Sequence, residues 1–197
     1  RSTLFPYTTL FRSPNMQILA PCDARELRRM VQWTLTQSHP CVIRYARDGR
    51  DLPEHRDQPF QPGRWEKLRP GKDLAMLAVG TMTRTALEAA EKLKRENNQE
   101  VLVLQCASVR PLDLDMLRQI SRMPFFTLEE HMETGGFGQY VTKICSQHGW
   151  PVPKACFAVQ DQFLSHGRHS LLLQDAGLDP DSIVHKIHHL LSSEGTN

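Results

Sequence analysis

Glu129, Glu130 and His131 stand together just ahead of a Gly135-Gly136-Phe137-Gly138 run. Two carboxylates and an imidazole are the groups used for acid/base chemistry. A glycine-rich turn that opens a helix can cradle phosphate on its free N–H groups. Each idea has a plainer rival. Adjacent residues on a strand point to opposite faces, so Glu129 and Glu130 do not easily share one site, and a solvated strand end would also carry them. The glycine run lacks the G-x-G-x-x-G spacing of dinucleotide sites and the lysine and hydroxyl of a P-loop. Spacing therefore favours tight backbone packing over phosphate. Arg44 and Arg47 flank the end of a predicted strand. In open α/β sheets ligands bind outside the carboxyl ends of strands, and a guanidinium fork suits phosphate or carboxylate. A surface salt bridge is the alternative. His166 with His169, and His185 with His188, have i, i+3 spacing, yet no Cys, His or Asp completes a metal set around either pair. The chain contains neither G-x-S-x-G nor H-E-x-x-H.

Strands and helices must hold these residues in place. Met16–Ala20 reads as a short strand. Asp23 and Glu26 form a capping box for a helix carrying Leu27, Met30, Val31 and Leu35 on one face. Cys41–Tyr45 reads as the next strand, completing a βαβ unit. Residues 51–72 are polar and proline-punctuated, and are expected to be a surface linker with Trp65 and Leu68 pinning its far end. Leu74–Val79 is apolar throughout, as a strand buried on both faces should be. A helix from about Thr83 to Asn97 should bury Ala86, Leu87, Ala90 and Leu93, with Glu91 and Arg95 paired outside. Val101–Leu104, Phe125–Leu128 and Ala155–Val159 are further strands. Helices are expected after Pro111-Asp113, after Gly136 and from Pro180, the last with Ile183, Ile187, Leu190 and Leu191 inward. Alternating strands and helices predict an α/β fold: a mostly parallel, doubly wound sheet with helices on both faces.

Composition narrows the partners. The formal net charge of the 197 residues is +2, and Arg1 and Arg12 account for both net positives, so the remainder is close to neutral. No basic stripe points to nucleic acid, and no apolar run is long enough to span a membrane. The five cysteines have no C-x-x-C spacing, which fits reduced thiols in a cytoplasmic protein. Thr3–Ser13 has no structural period and looks like the translation of a sequencing adapter. Residues 1–15 are therefore expected to be a non-native or disordered segment and to say nothing about the fold.

The motifs together resemble the 1-deoxy-D-xylulose-5-phosphate synthase family, of the transketolase type. Met16–Arg28 is similar to that family's Met-x-x-x-Ala-Pro-x-Asp-x-x-Glu-Leu-Arg run, and Arg44-Tyr45-Ala46-Arg47 to its Arg-Tyr-Pro-Arg-Gly. Gly80-Thr81-Met82, Arg110-Pro111-Leu112-Asp113 and Glu129-Glu130 followed by Gly135-Gly136-Phe137-Gly138 have counterparts in the same order. Asp161–Gly167 resembles a late Asp-x-Phe-x-x-His-Gly. The likeness covers 14–192. Gly-Gly-Phe-Gly alone is shared across transketolase-like C-terminal domains; the joint set points to the synthase.

The resemblance implies the end of a thiamine-diphosphate pyrimidine-binding domain over 16–50, a linker over 51–72 and a transketolase C-terminal domain over 73–193. It implies a parent enzyme, a homodimer, that condenses pyruvate with glyceraldehyde 3-phosphate on thiamine diphosphate and Mg2+, with loss of carbon dioxide. Arg47 matches a family arginine that contacts the phosphosugar, and Arg28 another near that site. The family's catalytic and cofactor-binding residues lie upstream, so the fragment itself is expected to be inactive. Ala46 replaces the family proline, and Ala107 stands where the family often has an arginine that reaches the active site. Another transketolase-like enzyme, or a non-catalytic α/β interaction module, are the alternatives.

Overall fold

The computed structural model describes residues 14–46, 51–53, 59–161 and 167–194. The opening segment Thr3–Ser13 lies outside them. Strand β1 (Gln17–Leu19), helix α1 (Ala24–Thr34) and strand β2 (Cys41–Ile43) form the expected parallel βαβ unit, with Gln17 opposite Cys41. The capping box forms in a modified way. Asp23 Oδ1 accepts the Glu26 N–H at 2.7 Å, while Glu26 Oε2 reaches back to the Cys22 N–H at 2.8 Å. The same oxygen accepts the Gln105 side-chain amide at 2.8 Å. That buried bond turns the Glu26 side of α1 inward, so Met30 and Trp33 pack with Leu19 and Ala107. The expected Leu27-Met30-Val31-Leu35 face is thereby corrected: Val31 is 43% exposed and Leu35 82%.

The larger sheet contains β3 (Glu66–Arg69), β4 (Leu74–Ala78), β5 (Val101–Gln105), β7 (Phe125–Met132) and β8 (Ala155–Val159), in the order β3-β5-β4-β7-β8. All pairings are parallel except β3 with β5. Period-two alternation divides its side chains between two cores. Ala75, Leu77, Leu102, Leu104 and Phe125 face helices α3 (Leu114–Ile120) and α4 (Phe137–His148). Leu74, Met76, Val101, Val103, Phe126 and Leu128 face α2 (Met82–Asn97) and α6 (Pro180–Glu194). Helices cover both faces, as the alternation of elements requires. Helix α5 (His169–Asp175) precedes α6.

Strand β3 falls inside the stretch expected to be a polar connection. Its Glu-Lys-Leu-Arg sequence hides an edge strand, because charged side chains can face water there. Trp65 anchors it: the backbone N–H donates to Asp113 Oδ2 and the indole Nε1–H to the Ser108 carbonyl, each at 3.0 Å. Arg69 takes Glu91 at 2.6 Å, in place of the expected Arg95 pairing, and holds that carboxyl below its ordinary range.

A second, smaller sheet has the order β2-β1-β6, with β6 (Ser108–Arg110) antiparallel to β1. The first βαβ unit is thus joined by a backbone ladder to a strand from the later half of the chain. This join brings the carboxyl ends of β2, β4 and β7 to one place.

Candidate functional site at the strand ends

Strand β7 runs past its apolar stretch to Met132. Alternation puts Phe125, Thr127 and Glu129 on the α4 side and Phe126, Leu128 and Glu130 on the other. Glu129 is buried, and its two oxygens accept the N–H groups of Phe137 and Gly138, each at 2.8 Å. These are orphan donors of the α4 N-terminus, where the helix dipole favours an anion. The protein supplies that anion itself, so the glycine run does not offer these N–H groups to phosphate.

The glycines are the condition for this contact. Gly135 adopts φ +78° in the bend, and its N–H donates to Gln139 Oε1 at 2.8 Å. A Cβ on Gly136 would lie 2.6 and 2.7 Å from the two Glu129 oxygens and 2.7 Å from the Met132 carbonyl. A Cβ on Gly138 would lie 2.6 Å from both Cys156 Sγ and Thr127 Oγ1. Close packing is the role of this run.

Glu130 emerges on the opposite face. It accepts from Thr81 Oγ1 at 2.9 Å and from His169 Nε2 at 2.6 Å, tying α5 to the end of β7. The two glutamates serve different contacts, as the strand geometry required. The sequence reading missed the Thr81 and His169 partners. Only the alternation hinted that Glu130 would face their side.

A cavity of about 270 Å3 opens where the strand ends meet. Ile18, Ala20, Val42, Val79 and Val109 give it apolar walls, and Arg44, Glu129 and His131 give it polar ones. Burial pushes the Glu129 carboxyl above its ordinary value; the two N–H bonds and the Arg44 charge only partly oppose this. Burial also pulls His131 below the usual imidazole range, and the Arg44 charge adds to the effect. Its Nδ1 bonds the Met132 carbonyl at 3.0 Å, which makes Nδ1 the protonated nitrogen of the neutral ring.

The other sequence candidates lie elsewhere. Arg28 is on the exposed side of α1, and does not line this cavity. Arg47 and His166 lie outside the described residues. Ala107 is buried beside a second cavity of about 320 Å3, lined also by Glu26, Arg29 and Trp65. Among the described residues no cluster of three or more His, Cys, Asp or Glu could hold a metal ion. Glu129 already occupies the N–H groups at the glycine-rich start of α4, so this helix end does not offer them to a diphosphate. The five cysteines are free, and no helix of the described residues is long and apolar enough to cross a membrane.

Comparison with known proteins agrees with this architecture. Residues 63–183 match the transketolase C-terminal domain. The 1-deoxy-D-xylulose-5-phosphate synthase of Clostridium perfringens strain SM101 is 31% identical over 191 residues, covering 95% of this chain and 31% of that protein. A Thermus thermophilus synthase of the same name is 36% identical over 181 residues, covering 91% and 29%. The chain therefore spans under a third of the length of these curated relatives. A split-gene transketolase solved as an inactive beta4 tetramer superposes with a TM-score of 0.85 at 32% identity, covering 94% of this chain and 61% of that one. The Campylobacter jejuni transketolase, at 14% identity and a TM-score of 0.71, shares the fold. With most of its length matched and the strand order and two-sided helical cover in place, the chain belongs to the transketolase C-terminal domain family.

Proposed function

We propose that this chain is the C-terminal part of a 1-deoxy-D-xylulose-5-phosphate synthase. The parent would condense pyruvate with glyceraldehyde 3-phosphate, release carbon dioxide, and work as a cytoplasmic homodimer that feeds isoprenoid and thiamine synthesis. Thiamine diphosphate and Mg2+ would be held by other parts of that longer protein. In this reading the boundaries are 16–50 for the end of the pyrimidine-binding domain, 51–72 for the connection and 73–193 for the C-terminal domain. The observation that supports it best is the placement of Arg44–Ala46. These residues leave the carboxyl end of a parallel strand beside the cavity where three strand ends meet, the position where open α/β sheets bind ligands. Arg47 continues from there. Its guanidinium fork would hold the phosphosugar and orient the aldehyde, with Arg28 as a more distant contributor.

The test has two arms. The purified chain, given pyruvate, glyceraldehyde 3-phosphate, thiamine diphosphate and Mg2+, should release no carbon dioxide above the protein-free control; robust release would overturn the fragment reading. In the full-length synthase, Arg47→Gln should raise KM for glyceraldehyde 3-phosphate at least tenfold and leave KM for pyruvate nearly unchanged. An equal rise in both would remove the phosphate role.

A second reading is favoured by the split-gene neighbour, a protein described as an inactive tetramer. This chain could belong to a subunit that self-assembles and needs a separate thiamine-binding subunit. Reading the gene upstream of Pro14 separates the two: in-frame continuation into a thiamine-binding domain supports the first, and a stop codon followed by a new start supports the second.

A further inference from the structure

Arg44 lines the 270 Å3 cavity and stands between two carboxylates without pairing with either. Glu129 spends both oxygens on the α4 N–H groups, at 2.8 Å each. Glu130 spends both of its own on Thr81 and His169. Among the described residues Arg44 has no ion pair within 4.0 Å, although it is half-buried. A half-buried guanidinium that faces a cavity gains from an anion that pairs with it there. Ile18, Val42, Val79 and Val109, by contrast, surround the same space with hydrocarbon. The volume is close to the lower end of the ~300–1,000 Å3 typical of small-molecule sites.

We propose that this cavity binds a small aliphatic carboxylate, with its carboxylate on the Arg44 guanidinium and its hydrocarbon against Ile18, Val42, Val79 and Val109. A bidentate fork matches a planar carboxylate, and the short apolar chain fills the remaining space. Glu129 does not repel such a guest strongly. Its oxygens are turned to the helix N–H groups, which take up its charge. The inference rests on the cavity and on Arg44, and it stands or falls independently of the synthase reading.

The test titrates the full 197-residue chain with sodium butyrate, 1-butanol and inorganic phosphate, followed by saturation-transfer NMR. Butyrate should bind saturably and at least tenfold more tightly than either comparator. Arg44→Gln should weaken butyrate at least tenfold and leave 1-butanol unchanged. Arg118→Gln, which removes an exposed charge on α3, should change nothing. Val42→Phe narrows the cavity without touching a charge and should weaken butyrate and 1-butanol together. Phosphate binding as tight as butyrate, or butyrate binding indifferent to Arg44→Gln, would overturn the proposal. Should Arg44→Gln fail to fold by circular dichroism, unchanged butyrate binding in Val42→Phe would overturn it equally.

Discussion

Replacing Gly136 with alanine tests the central contact of the site. The backbone at Gly136 has φ −81°, a conformation open to any residue, so the substitution carries no backbone strain. Its whole cost is steric. The new methyl group would lie 2.6 and 2.7 Å from the Glu129 oxygens and 2.7 Å from the Met132 carbonyl. The carbonyl is backbone and cannot swing aside, so the Glu129 carboxylate must leave. Two buried N–H groups, on Phe137 and Gly138, then lose their acceptor. Each buried unsatisfied donor costs about 1–3 kcal/mol, so a total of roughly 2–6 kcal/mol is expected. For a chain of this size that corresponds to a fall in Tm of roughly 4–24 °C. Gly149→Ala is the informative comparison. Nothing lies within 4 Å of its Cβ position, but its φ is +67°, so it should lose about 1–2 kcal/mol from strain alone. Urea unfolding followed by tryptophan fluorescence measures both, with the slope m expected to stay constant. A double-mutant cycle completes the argument. In a Glu129→Ala background the N–H groups have already lost their partner, so Gly136→Ala should add much less than it does alone. Strict additivity, or a Gly136→Ala protein within about 1 kcal/mol of wild type, would refute the claim that Gly136 exists to admit Glu129.

Two further predictions concern the cavity wall and α1. Burial depresses His131, so the unfolded chain binds the proton more readily than the folded one. The stability that this neutral ring contributes is complete above pH about 6.5 and is lost as pH falls through the lower, folded value. His131→Gln should flatten the acid limb of a Tm-against-pH curve measured by calorimetry; an unchanged limb would count against the buried neutral imidazole. On α1, Met30→Ala should cost about 2–5 kcal/mol in urea unfolding, whereas Leu35→Ser should stay within about 0.5 kcal/mol. Equal costs would mean that the helix is rotated from the orientation described.

The sequence carried the layered architecture because Leu74–Val79 and Val101–Leu104 are apolar on both sides of the pleat, which only a doubly covered sheet requires. It also carried the separation of Glu129 from Glu130, a matter of strand parity. The destination of Glu129 was not legible. It depends on where the α4 N-terminus docks, which is a tertiary fact. The length of β7 was hidden because Glu129–Met132 break the apolar run although they continue the strand. Strands β3 and β6 escaped for related reasons: one is charged and sits at an edge, and the other is three residues long. The orientation of α1 was misjudged because an apolar stripe normally faces inward, and here the buried carboxylate of Glu26 overrides it. That Arg44 has no ion pair among the described residues could be recognised only once both neighbouring glutamates were seen to be committed.

The antiparallel pairing of β6 with β1 has a consequence for cooperativity. Leu19 and Ala20 are held through Ser108 and the Ala107 carbonyl, the latter 2.8 Å from the Ala20 N–H, while β2 is held through β1. The smaller sheet therefore cannot form without a strand that is positioned by the larger one. Unfolding either sheet strips the other of hydrogen-bond partners and of the shared apolar contacts of Ile18, Ala20 and Val109. The early βαβ unit and the later sheet should melt as a single cooperative unit, giving one calorimetric transition where a tethered pair of independent modules would give two.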